Sequence, residues 1–176
     1  MKVLVIAAAR SGGFYFIKEL SKNHDLKLYH EPMDLSYVDL TEDVVVKVLV
    51  HRPFGYDVDR IVEYLGKYDH VFLLDRRDKT DHLRSIYNLY EYAGDMGERY
   101  VWDDSMIIDE ERVNHYNRWI EKQTNCIEEV SKRTSIPIIY YEDLYYNTSE
   151  IDLRGLKFEP NIDKKLRITK DKKTLI

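Results

Sequence analysis

A single cysteine, Cys126, in 176 residues excludes an internal disulfide framework and a cysteine metal cluster. It falls within an amphipathic helical pattern and reads as a buried, inert thiol. No apolar run approaches the roughly 20 residues that span a bilayer, so no membrane partner is expected. Glycine and proline are scarce, seven and four respectively, and no Pro/Gly linker, repeat or low-complexity tract divides the chain. A net charge of −5 argues against wholesale binding of nucleic acid, while leaving room for a local basic pocket. The most informative absence is a lysine. The first glycine turn, Arg10-Ser11-Gly12-Gly13, is neither G-x-x-x-x-G-K-[ST] nor G-x-G-x-x-G, so the lysine and Mg²⁺-binding hydroxyl of an ordinary nucleoside triphosphatase are missing.

What is present is an alternation of buried-strand and helical patterns. Val3–Ala8, Val44–Val50, His70–Leu74 and Ile136–Tyr141 are apolar on both faces, as buried parallel strands are, and Leu26–Tyr29 is a weaker fifth. A helix follows the first strand over Phe14–Leu20. Val58, Ile61, Val62 and Leu65 mark a second, and Leu83, Ile86, Tyr87 and Tyr90 a third. Val113, Tyr116, Ile120, Ile127 and Val130 mark a longer fourth. This predicts one α/β domain over residues 1–176, three-layered with a mainly parallel sheet. The segment 94–109 reads as an excursion, and 147–176 as an irregular basic end. The apolar start is better explained as a buried first strand than as a secretion signal, so a cytoplasmic protein is expected.

Ligands of such sheets bind beyond the carboxyl ends of the strands. There the sequence places Arg10-Ser11-Gly12-Gly13, His30-Glu31-Pro32, His51-Arg52-Pro53, Asp75-Arg76-Arg77-Asp78 and Glu142-Asp143. A strand, a glycine turn and a helix in that order aim backbone N–H groups and a helix dipole at one point, which suits a phosphate. Arg77 lies at a strand end and Ser85 two turns into the next helix. Together they can grip a second phosphate, the guanidinium by a charged fork and the hydroxyl by a neutral bond. The alternative is an Arg77–Asp81 pair at i, i+4. Glu31 and His51 are the two candidate general bases.

Taken together, Arg10-Ser11-Gly12-Gly13, Glu31-Pro32, Arg76-Arg77-Asp78 with Ser85, and Tyr141-Glu142-Asp143-Leu144 resemble the sulfotransferase family, in the carbohydrate-type and bacterial branch above all. The matches span positions 3–144 in order. The resemblance implies a fold like that of P-loop nucleotide-binding proteins and 3′-phosphoadenosine 5′-phosphosulfate (PAPS) as donor, without a metal. It implies that Arg10, Ser11, Gly12, Gly13 and Phe14 surround the 5′-phosphosulfate, and that Arg77 and Ser85 hold the 3′-phosphate. Arg10 would stabilise the leaving oxygen, Glu31 or His51 would be the base, and Tyr15 is placed to stack on adenine. A small-molecule or carbohydrate acceptor would receive the sulfuryl group on a hydroxyl or amine. The family's loop continues with two hydroxyl residues where this chain has Gly13 and Phe14. That substitution also fits a nucleotide-binding or regulatory module of the same fold that has lost the transfer chemistry. A small-molecule kinase is a third reading, opposed by the absent lysine.

Overall fold

The computed structural model describes residues 1–92, 109–146, 153 and 155–158. Five strands, β1 (Lys2–Ala7), β2 (Lys27–His30), β3 (Val44–Leu49), β4 (His70–Asp75) and β5 (Ile138–Tyr140), form one all-parallel sheet in the order β2-β3-β1-β4-β5. The helices are α1 (Gly13–His24), α2 (Val58–Leu65), α3 (Lys79–Tyr87), α4 (Glu110–Thr134) and α5 (Tyr141–Tyr146). A 3₁₀ turn occupies Leu35–Tyr37, and α3 runs on into a π-helical turn over Asn88–Tyr92.

Side chains alternate across each strand, so the Val-rich runs feed two cores at once. Leu4, Ile6, Val46, Val48 and Leu73 face one way and pack with Ile61 and Leu65 of α2 and Ile127 and Val130 of α4. Val3, Val5, Val45, Phe72 and Leu74 face the other way and pack with Phe16, Ile17 and Leu20 of α1 and Leu144 of α5. Helices therefore cover both faces, an arrangement compatible with a three-layer α/β fold. Asp57, Asp78 and Asp109 start α2, α3 and α4, each side chain accepting a backbone N–H of the first turn. Cys126 is buried in the first core, and that burial pushes its thiol up to about 11.

β5 is shorter than its apolar run, and the chain turns directly into α5 at Tyr141. A six-residue helix of YEDLYY composition carries no readable period, so the expected extension of the strand to Tyr141 gives way to a helix. Of the expected excursion at 94–109 only Asp109 is described. Of the basic end at 147–176, only residues 153 and 155–158 are. No helix among the described residues is long and apolar enough to cross a membrane.

The two-sided core predicts a sharp contrast. Leu74→Ala, at a fully buried position, is expected to cost about 2–5 kcal/mol in denaturant unfolding. Leu28→Ala, 38% exposed on the edge strand β2, is expected to cost less than about 1 kcal/mol. Similar costs at both positions would contradict this packing.

Candidate functional site

Parallel pairing ends every strand at one edge, and the turn after β1 sits near its middle. Arg10 and Gly12 both adopt left-handed backbone there, with φ of 63° and 78°. For arginine that conformation costs of order 1 kcal/mol or more and has to be held by its surroundings. Two fully buried polar side chains hold it. Gln123 of α4 accepts the Ala9 N–H at 2.8 Å, and His82 of α3 bonds the Ala9 carbonyl at 2.6 Å. The two peptide groups that flank Ala9 are thus both held just before the turn. Burial lowers the His82 pKa to about 4, so its ring is neutral at pH 7 and donates Nε2–H to that carbonyl.

Gly12 caps α1 without a side chain, and no acidic residue occupies the first turn. A Cβ on Gly12 would stand 2.6 Å from the Tyr141 ring and 2.8 Å from the Tyr145 ring, so only glycine fits. Tyr145 Oη also donates to the Gly12 carbonyl at 3.0 Å. Ser11 is buried and turns its hydroxyl inward to the Ala8 carbonyl at 2.7 Å. Its contribution to an anion site in this geometry would come from the backbone. Phe14 is partly exposed and meets the His30 ring edge-on at 4.8 Å. Tyr15 is half-buried and lies edge-on to Phe14 at 5.5 Å.

Cations converge on this turn from three strands. Arg10 donates from Nε to Ser85 Oγ at 3.1 Å and has no carboxylate partner among the described residues. Crowding by the protein lowers its pKa, and the nearby Arg76 lowers it further. Arg76 is buried, lies over the Tyr141 ring at 4.6 Å, and meets Asp81 and Glu142 only loosely, at 3.7 and 3.9 Å. The third cation, Lys47, is one that the sequence reading missed. It is 4% exposed on β3, directly under α1, and its ammonium pairs with Glu31 at the end of β2.

Glu31 has left-handed backbone, φ 51°, and its N–H bonds the Lys47 carbonyl at 2.8 Å. Burial pushes its carboxyl upward, but His30 and Lys47 together overcome that and hold its pKa at about 2. Lys47 is less well served. Its deep burial and the neighbouring Arg10 lower its pKa despite the attraction of Glu31. His51 stands at the end of β3 with its ring edge-on to Trp119 at 5.1 Å. Burial and Arg52 lower its pKa, partly offset by Glu31 and Gln123, so it too is neutral at pH 7.

The structure does not join Arg77 to Ser85. Arg77 makes a two-bond fork to Asp143, at 3.0 and 2.9 Å, over the Tyr140 ring, while Ser85 belongs to Arg10. Nor does Arg77 pair with Asp81, which instead meets Arg84 at 3.1 Å and Arg76. Glu142 accepts the backbone N–H groups of Arg77 and Asp78 at 2.9 and 3.0 Å. The Tyr140–Asp143 segment is therefore the bracket that fixes the Arg76–Asp78 turn. Among the described residues no group of acidic, histidine or cysteine side chains is arranged to hold a metal ion. Lys47 had a signal in the sequence, as the one charge in the apolar run Val44–Val50. Gln123 had another, a polar residue between Ile120 and Ile127 on the apolar face of α4.

Two outcomes follow from this geometry. Gly12→Ala is expected to destabilise the protein by roughly 1–3 kcal/mol in denaturant unfolding, through strain and the tyrosine clash. An unchanged midpoint would contradict it. The folded pKa of His82 is depressed, so the unfolded chain binds its proton more readily between about pH 6.5 and 4. Stability from this residue is accordingly lost as pH falls through that window. His82→Gln, which keeps a donor for the Ala9 carbonyl, should flatten the acid limb of thermal stability against pH; parallel curves would refute the assignment. In comparisons with known proteins, no protein-family model matches the chain and no curated protein matches it.

Proposed function

We infer that this chain binds a nucleotide with two separated phosphate groups, PAPS, and transfers its sulfuryl group to a hydroxyl or amine of a small-molecule or carbohydrate acceptor. The observation that carries this reading is the convergence of Arg10, Lys47 and Arg76 on the uncapped first turn of α1. The sheet order β2-β3-β1-β4-β5, with the glycine turn leaving its central strand, supports a P-loop-like topology. The residues resembling sulfotransferase motifs support the choice of donor.

In this reading the N–H groups of Gly12 and Gly13, with Arg10, hold the 5′-phosphosulfate. Ser85 and the arginine pair Arg76 and Arg77 face the 3′-phosphate, which competes with Asp143 for Arg77. The acceptor oxygen or nitrogen bonds to sulfur as the bond from sulfur to the bridging oxygen breaks. The acceptor proton passes to the protein, and the charge left on the phosphate is neutralised by Arg10. His51 is neutral at pH 7 and able to take that proton. Glu31, with its pKa near 2 and its carboxylate on Lys47, is the weaker base as it stands.

A second reading, a nucleotide-binding module without transfer, is favoured by the Glu31–Lys47 pair and the Asp143–Arg77 fork, which leave these groups already satisfied. Calorimetric titration is expected to show 3′,5′-adenosine bisphosphate binding in preference to Mg²⁺–ATP, with Arg10→Ala at least tenfold weaker. No binding of the bisphosphate would sink both readings. Labelled PAPS offered to an acceptor panel separates them. Transfer that falls by roughly 10²–10⁴-fold in His51→Ala supports the enzyme. Bisphosphate binding without any transfer supports the module.

A further inference from the structure

A buried ammonium needs a strong reason to remain charged, because desolvation favours its neutral form. Lys47 has one carboxylate partner among the described residues, Glu31, while Arg10 stands near enough to oppose it. Its side chain runs along the α1 face of the sheet between Val45 and Leu49, beneath the first turn of that helix. The contact with Gly13 is close. A Cβ on Gly13 would lie 2.7 Å from Lys47 Cε and 3.1 Å from Cδ. Any side chain at position 13 would therefore occupy the space that the lysine uses. Glycine at 13 and lysine at 47 form one arrangement, in which a cation from β3 reaches the place that a loop side chain would otherwise fill.

Resting on the phosphate-binding reading above, we propose that Lys47 is the anion-binding lysine of this site. Glu31 is its holder in the ligand-free protein, and an arriving phosphate or phosphosulfate group competes with the Glu31 carboxylate for the ammonium. The lysine missing from the glycine turn is thus supplied by the neighbouring strand, and the hydroxyl missing at position 13 is replaced by a full charge. Glu31 is thereby the competitor that occupies the ammonium until the ligand displaces it. A carboxylate beside an anion site otherwise repels the ligand. Here that repulsion is limited because the ligand and the carboxylate share one cation.

Competition carries a signature that a merely structural ion pair does not. Inorganic pyrophosphate and 3′,5′-adenosine bisphosphate are titrated separately into wild type, Lys47→Gln, Glu31→Gln and the double variant at one fixed ionic strength. Lys47→Gln is expected to weaken both ligands at least tenfold. Glu31→Gln, which removes the competitor and leaves the lysine, is expected to tighten both by threefold or more. The double variant should bind like Lys47→Gln, and its neutral pair keeps the test available should the single lysine variant fail to fold. Glu31→Gln binding at wild-type strength or weaker overturns the proposal, as does a lysine variant that binds normally. Pyrophosphate following this pattern while the bisphosphate fails to bind leaves Lys47 its role and removes the donor assignment. Bisphosphate binding that ignores both substitutions does the reverse.

Discussion

A parallel sheet covered on both faces leaves little room for charge, and β3 nonetheless carries a lysine at its centre. The Lys47 ammonium must be answered within the protein, and the answer organises the surrounding edge. Glu31 is drawn into a left-handed backbone conformation at the end of β2. Gly13 leaves the lysine its path, since a Cβ there would stand 2.7 Å from Lys47 Cε and displace the end of that side chain. The first turn of α1 then lies directly over a positive charge with its own N–H groups uncapped. A helix dipole and an ammonium both favour an anion at that point, and neither is neutralised by an acidic residue of the helix.

The rest of the site is fixed by residues that reach it from elsewhere in the fold. Gln123 and His82 hold the N–H and the carbonyl of a single residue, Ala9, so the turn that presents Arg10 is set by α3 and α4 rather than by the turn itself. Tyr141 and Tyr145 close on Gly12, Glu142 holds the turn after β4, and Asp143 holds Arg77. These contacts rigidify the carboxyl edge before any ligand arrives. Preorganisation of this kind is what the proposed charge stabilisation at a phosphosulfate requires.

The strands were legible because burial on both faces writes a continuous apolar run, and β1, β3 and β4 fall within a residue of their expected ends. α2 begins at Val58 and ends at Leu65, as its period indicates. What stayed hidden depends on contacts across the chain. Lys47 and its partner Glu31 are 16 residues apart on different strands, and Gln123 reaches Ala9 across 114 residues. Spacing in a sequence carries no sign of either. Arg77 and Ser85 show the same limit, since an interval of eight residues carries no sign of the partner each has in the ligand-free fold. In the fold each has a different partner, because Asp143 approaches from α5 and Arg10 from the turn after β1.

A crystal structure with 3′,5′-adenosine bisphosphate bound tests the central claim most directly. It should place the 5′-phosphate against the N–H groups of Gly12 and Gly13, with Arg10 Nη and Lys47 Nζ within hydrogen-bonding distance of its oxygens. A ligand seated away from this turn, or one seated on it while Lys47 stays on Glu31 alone, would contradict the account.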